Sequence, residues 1–172
     1  MNRALRCFLI LIAVHATNAG AEIALTKHNL SISGPGPVRA AKESRICVFC
    51  HTPHGASAQG PLWNREQSGI VYTPYSSSTV VGLPGQPTGA SLLCLSCHDG
   101  TVALGKVLSE RTPILMRGGV MQIPAGPARL GTDLSDDHPI SFHYTPGLVS
   151  RRGELAQPLS LTGSVRLDHS GA

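Results

Sequence analysis

The sequence is short of aromatic side chains and of charge. Phe, Trp and Tyr make up 4% of the 172 residues, and charged residues make up 14%. Aromatic rings usually supply much of a core's buried area, so this composition argues against a large core of the ordinary kind. The chain also holds 19 glycines and 13 prolines, which interrupt regular structure. Order must come from elsewhere, and a metal, a large cofactor or disulfides are the usual sources.

Long apolar runs are missing after residue 21, so no later membrane span is predicted. The N-terminal stretch has a basic start with Arg3 and Arg6, then the apolar run CFLILIAVHA, then small residues at Ala19 and Ala21. This order is typical of a secretory signal, and the run is shorter than the roughly 20 residues of a single span. We predict that residues 1–21 are a cleaved signal peptide and that the protein is exported, to the periplasm or the outer surface.

A large excess of positive charge is also missing from the mature part. Removing Arg3 and Arg6 leaves 12 basic and 10 acidic residues. No Lys/Arg cluster alternates with aromatic residues, which is the pattern that nucleic-acid binding favours. We therefore predict no nucleic-acid partner.

Secondary structure is predicted to be sparse, because Gly and Pro recur along the chain. Short helical pieces are predicted at residues 38–45, around Leu92–His98, and after a cap at Thr132 or Asp133. Gly100 should end the second of these. Residues 159–167, with the sequence LSLTGSVRL, are the best strand candidate.

The cysteines of the mature chain all belong to one repeated motif, because Cys7 lies in the signal. The motif C-x-x-C-H occurs as CVFCH from Cys47 and as CLSCH from Cys94. It is the attachment signature of c-type haem, in which two thiols add to the haem vinyl groups and the histidine reaches the iron. Two c-type haems are therefore predicted, one held by Cys47, Cys50 and His51 and one by Cys94, Cys97 and His98.

Two other chemistries would use the same cysteines. Two C-x-x-C pairs could form a structural Cys₄ zinc site, or each pair could form a redox-active disulfide. Neither needs the histidine that follows each pair. Histidine accounts for only 8 of 172 residues, so its presence after both pairs favours haem.

The sixth iron ligand decides between electron transfer and ligand binding. The possible ligands are the thioethers of Met116 and Met121 and the imidazoles of His28, His54, His138, His143 and His169. With five spare histidines, we favour bis-histidine irons, which leave no room for substrate and suit an electron carrier rather than an enzyme. In the string DDHP, Asp136 and Asp137 could accept a hydrogen bond from the His138 ring. The alternative functions are a haem enzyme with an open iron, such as a peroxidase or a nitrogen-oxide reductase subunit, and a structural zinc module.

Several longer strings extend the motif into a family resemblance. The strings ICVFCHTPHGA, PLWNR, YSSSTVVG, GQPTGASLLCLSCHDGTVALG and GTDLSDDHPISFHY resemble, in that order, multihaem c-type cytochromes. They are most similar to the small tetrahaem outer-surface cytochromes of metal-reducing bacteria, some of which form filaments. The resemblance covers roughly residues 26–172. It implies a mostly irregular fold, with short α-helices packed around covalent haems and few or no β-strands.

The resemblance also implies roles for individual histidines. The distal ligands of the family correspond to His28 and His138, and His54 stands where filament-forming relatives bind a haem of the neighbouring subunit. Redox partners would be other haem proteins, with self-association through His54. Relatives continue into a third and a fourth motif, whereas this sequence stops at Ala172. Residues 22–172 are thus expected to form a dihaem cytochrome c domain, with a truncated chain and a true dihaem form both left open.

Overall fold

Irregular segments form most of the protein. The structure is a computed structural model that describes residues 22–58, 60 and 62–161. Within these residues there are two α-helices, α1 (Gly89–His98) and α2 (Pro146–Arg152), and four short 3-10 helices, Ile23–Leu25, Cys47–Phe49, Arg117–Gly119 and Pro158–Ser160. The same part of the chain holds no β-strand. Its isolated bridges join Ala40 to Met116, His51 to Trp63 and Thr73 to Asp133. The prediction of a mostly irregular chain with short helices is confirmed.

Helix α1 matches the helix predicted around the second cysteine motif, although it begins three residues earlier than Leu92. It buries Leu95 and Ser96. Its last turn is closed by the backbone N–H of Asp99, which donates to the carbonyl of Leu95 at 2.9 Å. Gly100 follows with a φ of 72°, a conformation that glycine adopts without strain. The predicted stop at Gly100 is therefore confirmed.

Helix α2 was not predicted, although its ends carry recognisable signals. The Thr145 hydroxyl caps the first turn by accepting a hydrogen bond from the backbone N–H of Leu148 at 3.2 Å, and Pro146 opens the helix. Gly153 ends it with a φ of 69°, as the residue after a helix often does. The helix buries Leu148 and Val149.

The helical piece predicted at residues 38–45 is wrong. Backbone groups there bond to distant parts of the chain: the N–H of Ala40 donates to Leu30 at 2.7 Å, and the N–H of Ala41 donates to Leu115 at 2.9 Å. These bonds replace the local ones that a helix needs. The strand predicted at residues 159–167 begins within the Pro158–Ser160 3-10 helix, and its residues from 162 onward lie outside the described residues.

The helix expected after Thr132 or Asp133 is also wrong. A side-chain oxygen of Asp133 does accept a backbone hydrogen bond, from Ser135 at 3.1 Å. The chain then forms a single turn, closed by Asp137 N–H on the carbonyl of Leu134 at 3.2 Å. Asp and Asn side chains make such local turns as readily as they cap helices.

Eight of the twelve buried hydrophobic residues in the described part of the chain fall into two small clusters. The first is formed by Ala40, Val48, Phe49, Leu104 and Met116. The second is formed by Tyr72, Leu95 and Leu134. Cys50 and Cys97, one from each motif, pack against the first cluster. The two cysteine motifs, 47 residues apart in sequence, therefore meet at the larger part of the core.

No helix in the described part of the chain has the length and apolar character needed to cross a membrane. The predicted signal peptide, residues 1–21, lies outside the described residues.

Candidate functional site

The second motif presents its three functional residues on one face of α1. Cys94, Cys97 and His98 stand at positions i, i+3 and i+4 of the helix, and side chains at these spacings are neighbours on a helix surface. Cys94 is exposed, whereas Cys97 is half-buried. The spacing C-x-x-C-H therefore places two sulfurs and an imidazole side by side.

The first motif reaches a similar arrangement through a tighter turn. Cys47 begins the Cys47–Phe49 3-10 helix and Cys50 follows it. Residues three apart in a 3-10 helix lie above one another. The N–H of His51 donates to the carbonyl of Cys47 at 2.8 Å, which holds His51 against the same turn. Both motifs thus group their cysteines by local backbone geometry.

A largely apolar cavity of about 460 Å³ lies beside the two motifs. Its lining includes Cys50 from the first motif and Cys97 and His98 from the second, with Phe49 and Leu104 between them. Its volume falls within the roughly 300–1,000 Å³ of cofactor and ligand pockets. The cavity therefore offers an apolar space for a large cofactor next to thiols that could attach it.

Two imidazoles meet in this cavity. The rings of His28 and His98 have centroids 6.2 Å apart, with an interplanar angle of 68°, and both line the cavity. A metal held between two imidazoles sits about 2 Å from each ligating nitrogen, which separates the ring centroids by roughly 6 Å. The distance between the His28 and His98 rings is therefore compatible with both imidazoles binding one metal.

The ring of His98 is held by a hydrogen bond to a neighbouring segment. Its Nδ1 donates to the backbone carbonyl of Ala128 at 2.6 Å. The N–H of Leu130 donates to the carbonyl of His98 at 2.8 Å. The segment that contains Ala128 and Leu130 therefore holds both the ring and the backbone of His98. An imidazole that donates through Nδ1 keeps the lone pair of Nε2 free for a metal.

The loop that carries His28 is held by the side chain of the next residue. Asn29 is 1% exposed. Its amide nitrogen donates to the carbonyl of Ala24 at 2.9 Å, and its oxygen accepts from the hydroxyl of Ser31 at 2.7 Å. The chain then turns so that the N–H of Gly34 donates to Ser31 at 3.0 Å. These bonds fix the backbone on which the His28 ring stands.

Replacing Gly34 by alanine is expected to lower the free energy of unfolding by about 1–3 kcal/mol, as overpacking does. A methyl group on Gly34 would overlap the backbone carbonyl of Asn29, which is not free to move. Gly36→Ala is the matched control, because its methyl would make ordinary contact with Lys27 Cα at 3.7 Å. Denaturant unfolding measures both variants. Equal unfolding free energies for Gly34→Ala and Gly36→Ala would contradict the close approach of Gly34 to the Asn29 carbonyl.

The first motif has a different surrounding. The His51 ring is exposed and lies against Trp63, with centroids 6.0 Å apart and planes at 85°. His54 is exposed as well, three residues on, and its backbone N–H and carbonyl both bond to the Thr52 hydroxyl. His138 is exposed and is not among the residues that line the cavity. The structure therefore does not group His54 or His138 with the His28 and His98 pair.

The other ligand candidates lie elsewhere. Met116 belongs to the first core cluster and Met121 is 67% exposed, and neither lines the cavity. His143 is exposed, and His169 lies outside the described residues. The thioether alternative to His28 therefore gains no support at this cavity.

Burial acts on the two inner thiols. It raises the pKa of both Cys50 and Cys97 above the usual thiol range, and the neighbouring Cys97 adds to the rise at Cys50. Arg65 lowers the pKa of both thiols, against the effect of burial. Cys50 and Cys97 are therefore neutral thiols at pH 7, close to each other and to a guanidinium.

Two buried polar groups near the second motif had no role in the sequence prediction. Arg65 is fully buried, and Asp99, directly after His98, is 4% exposed. The Tyr72 hydroxyl donates to Asp99 Oδ2 at 2.7 Å, and the Thr101 N–H donates to Asp99 Oδ1 at 2.8 Å. The only sequence signal was position, since Asp99 follows C-x-x-C-H and Arg65 lies in the string PLWNR.

The hydrogen bond between Tyr72 and Asp99 makes stability depend on pH in the alkaline range. Burial, with Asp99 as the next cause, raises the pKa of Tyr72 from 10.0 to about 12. The folded state therefore keeps its phenolic proton where the unfolded state has lost it, so this contribution is complete below pH 10 and is lost as pH rises towards 12. Tyr72→Phe should cost about 1–2 kcal/mol at pH 7 and flatten the unfolding free energy between pH 10 and 12.

The structure bears on the zinc and disulfide alternatives through the cysteines. All four are free thiols. Among the described residues, which include these four, no three or more His, Cys, Asp or Glu side chains are grouped so as to hold a metal ion. The four thiols in the described part of the chain therefore form no single cluster.

Comparison with known proteins adds no relative. The chain matches no protein-family model, and no curated protein shows significant similarity to it. Its resemblance to multihaem c-type cytochromes therefore stays a prediction that rests on its sequence motifs.

Proposed function

We propose that this protein is an electron carrier with two covalently bound c-type haems, acting in the periplasm or at the outer surface of the cell. The thiols of Cys47 and Cys50 would attach the first haem, and those of Cys94 and Cys97 the second. His51 and His98 would be the proximal ligands. A c-type haem supplies an iron that exchanges one electron between its ferric and ferrous states.

The observation that carries the proposal is the His28 and His98 pair. Two imidazoles with ring centroids 6.2 Å apart stand beside an apolar cavity that Cys97 also lines. The motif supplies His98, but nothing in the motif requires a second imidazole opposite it. An iron with two imidazole ligands has no open position, which suits electron transfer rather than catalysis on a bound substrate.

The chain's own residues would do three things for the second haem. The helical spacing of α1 brings both thiols and His98 to one side. Ala128 orients the His98 ring through its carbonyl. Apolar side chains such as Phe49 and Leu104 line the cavity and would keep water from the iron, which is one of the protein's means of tuning a haem.

His138 would be the other distal ligand, as the family resemblance implies, with His54 as a ligand to a haem outside its own site. His54 is exposed, so it is available to a haem of a second copy of this chain. If it has that role, His54→Ala should change both the association state and the haem spectrum of the associated form. A variant with the parent's spectrum and association state would remove His54 from the proposal.

Intact mass tests the proposal directly. The protein should be made in a host with cytochrome c maturation machinery, and its mass should equal residues 22–172 plus two haems. The double variant Cys94→Ala with Cys97→Ala should carry only the first haem. The matching double variant at Cys47 and Cys50 should carry only the second. A haem-free product that retains zinc would overturn the proposal in favour of the structural module.

The enzyme alternative separates from the carrier by ligand binding. An open iron binds cyanide and gives a high-spin spectrum, whereas two bis-histidine irons give a low-spin spectrum that cyanide leaves unchanged. Cyanide binding to one of the two irons at neutral pH would favour a peroxidase or reductase activity over electron transfer alone.

A further inference from the structure

Arg65 is the most deeply buried large side chain outside the two motifs. It is 0% exposed. Its guanidinium donates to three backbone carbonyls: to Leu104 at 2.9 Å, to Ser96 at 3.0 and 3.2 Å, and to Ala103 at 3.2 Å. Among the described residues, the side-chain ion pairs involve Arg45 and Lys106 and not Arg65.

The charge on this guanidinium persists despite burial. Arginine is not deprotonated in proteins, and a buried charge with no counter-ion costs free energy unless dipoles compensate it. Here the three carbonyl groups supply that compensation. The interior of the protein therefore contains the full positive charge of the guanidinium, which water screens far less there than at the surface.

The position of Arg65 places that charge at the junction of the two motifs. The residue before it, Asn64, donates its backbone N–H to the carbonyl of Cys50 at 2.9 Å. The guanidinium itself bonds to Ser96, the residue before Cys97. Leu104, whose carbonyl accepts from the guanidinium, belongs to the core cluster against which both Cys50 and Cys97 pack.

Asp99 is the buried carboxylate of the described residues. Asp99 follows His98 and keeps its carboxylate hydrogen-bonded to Tyr72 and Thr101. The buried charged side chains of the described residues are thus Arg65, which lies between the two motifs, and Asp99, which directly follows the second.

We propose that Arg65 is a positioning residue for charge, which raises the reduction potentials of both haem sites by making the additional positive charge of ferric iron less favourable. The inference rests on the proposed function, because it needs the two haems. Burial of the guanidinium and its place between the motifs carry it. A fixed cation in a low-dielectric interior favours the reduced, less positive iron.

A purely structural role for Arg65 makes a different prediction. The guanidinium bonds to Ser96, near the C-terminal end of α1, and to the following loop, so it could act only as a clamp on helix carbonyls. Arg65→Lys keeps the charge but loses the planar fork, and Arg65→Gln loses both. If Arg65 is only a clamp, the two substitutions should change the reduction potentials to a similar extent. If its charge matters, only Arg65→Gln should shift them.

The test is a spectroelectrochemical titration of the purified dihaem protein. In Arg65→Gln, both midpoint potentials should fall, and in Arg65→Lys both should stay near those of the parent. Asp99→Asn removes the opposing charge and should raise the potential of the second haem more than that of the first. Arg152→Gln, an exposed arginine of α2, is the control and should leave both potentials in place. His28→Met identifies the second haem by its altered spectrum.

The possible outcomes distinguish a failure of the inference about Arg65 from a failure of the proposed function. A parent protein without haem overturns the proposed function and the inference with it. Two haems whose potentials do not move in Arg65→Gln, or that move equally in Arg65→Gln and Arg65→Lys, overturn the inference and leave the carrier intact. If Arg65→Gln does not fold, an unchanged second potential in Asp99→Asn overturns the claim that these buried charges act on the iron.

Discussion

Replacing His28 by alanine should convert one of the two haem irons from low-spin to high-spin. The His28 ring stands 6.2 Å from that of His98, and in the proposed dihaem protein its removal would open one axial position of the second iron. Absorption and electron paramagnetic resonance spectra would show about half of the low-spin signal lost, on the assumption of two equal haems. The open iron should then bind cyanide.

Two further variants sharpen the His28 result. His28→Met returns a sixth ligand of another kind and should restore a low-spin iron with a raised potential. Lys27→Ala changes the neighbouring residue of the same loop, which also lines the cavity, and should keep the parent spectrum. A His28→Ala protein with two fully low-spin irons would show that His28 is not the distal ligand.

Without haem, the chain is expected to be largely disordered. Twelve buried hydrophobic residues in the described part of the chain form its apolar core. The free energy gained by burying so few side chains is small against the roughly 1–2 kcal/mol of backbone entropy that each ordered residue loses. Without haem, the largely apolar walls of the 460 Å³ cavity would also lie open to water, which is unfavourable.

Expression with and without the maturation machinery tests this dependence. The haem-loaded protein should give dispersed amide signals and cooperative unfolding, and the chain made without haem should give the narrow dispersion of a disordered polypeptide. The quadruple variant with alanine at Cys47, Cys50, Cys94 and Cys97 is the control for handling, since it cannot attach haem in either host. A well-dispersed NMR spectrum from the haem-free chain would refute the prediction.

Local signals accounted for the parts of the fold that depend on near neighbours. The second motif predicted a helix with a stop at Gly100, because a run of good helix formers is ended by a residue that adopts positive φ freely. Helix α2 could have been found in the same way, from Thr145 and Pro146 at its start and Gly153 at its end. It was missed because its seven residues are few for a periodic apolar pattern to stand out.

One helix prediction failed because the backbone bonded to distant residues, and another because a local turn took the place of a helix. The segment 38–45 resembles a helical turn, but Ala41 donates to Leu115 instead, and no local pattern announces that partner. Asp133 resembles a helix cap, yet its side chain serves a single turn with Ser135. A cap and a turn begin with the same hydrogen bond, so neighbouring residues do not distinguish them.

The spacing of C-x-x-C-H alone was enough to group each pair of thiols with its histidine, because residues three and four apart meet on any helical turn. It could not identify which imidazole would lie beside His98, since His28 stands 70 residues earlier in the chain and five histidines qualified on sequence alone. The loop held by Asn29 and the packing around the cavity place the His28 ring there. The same long-range packing buried Arg65 between the motifs, because burial depends on which distant segments meet and not on the residues beside it.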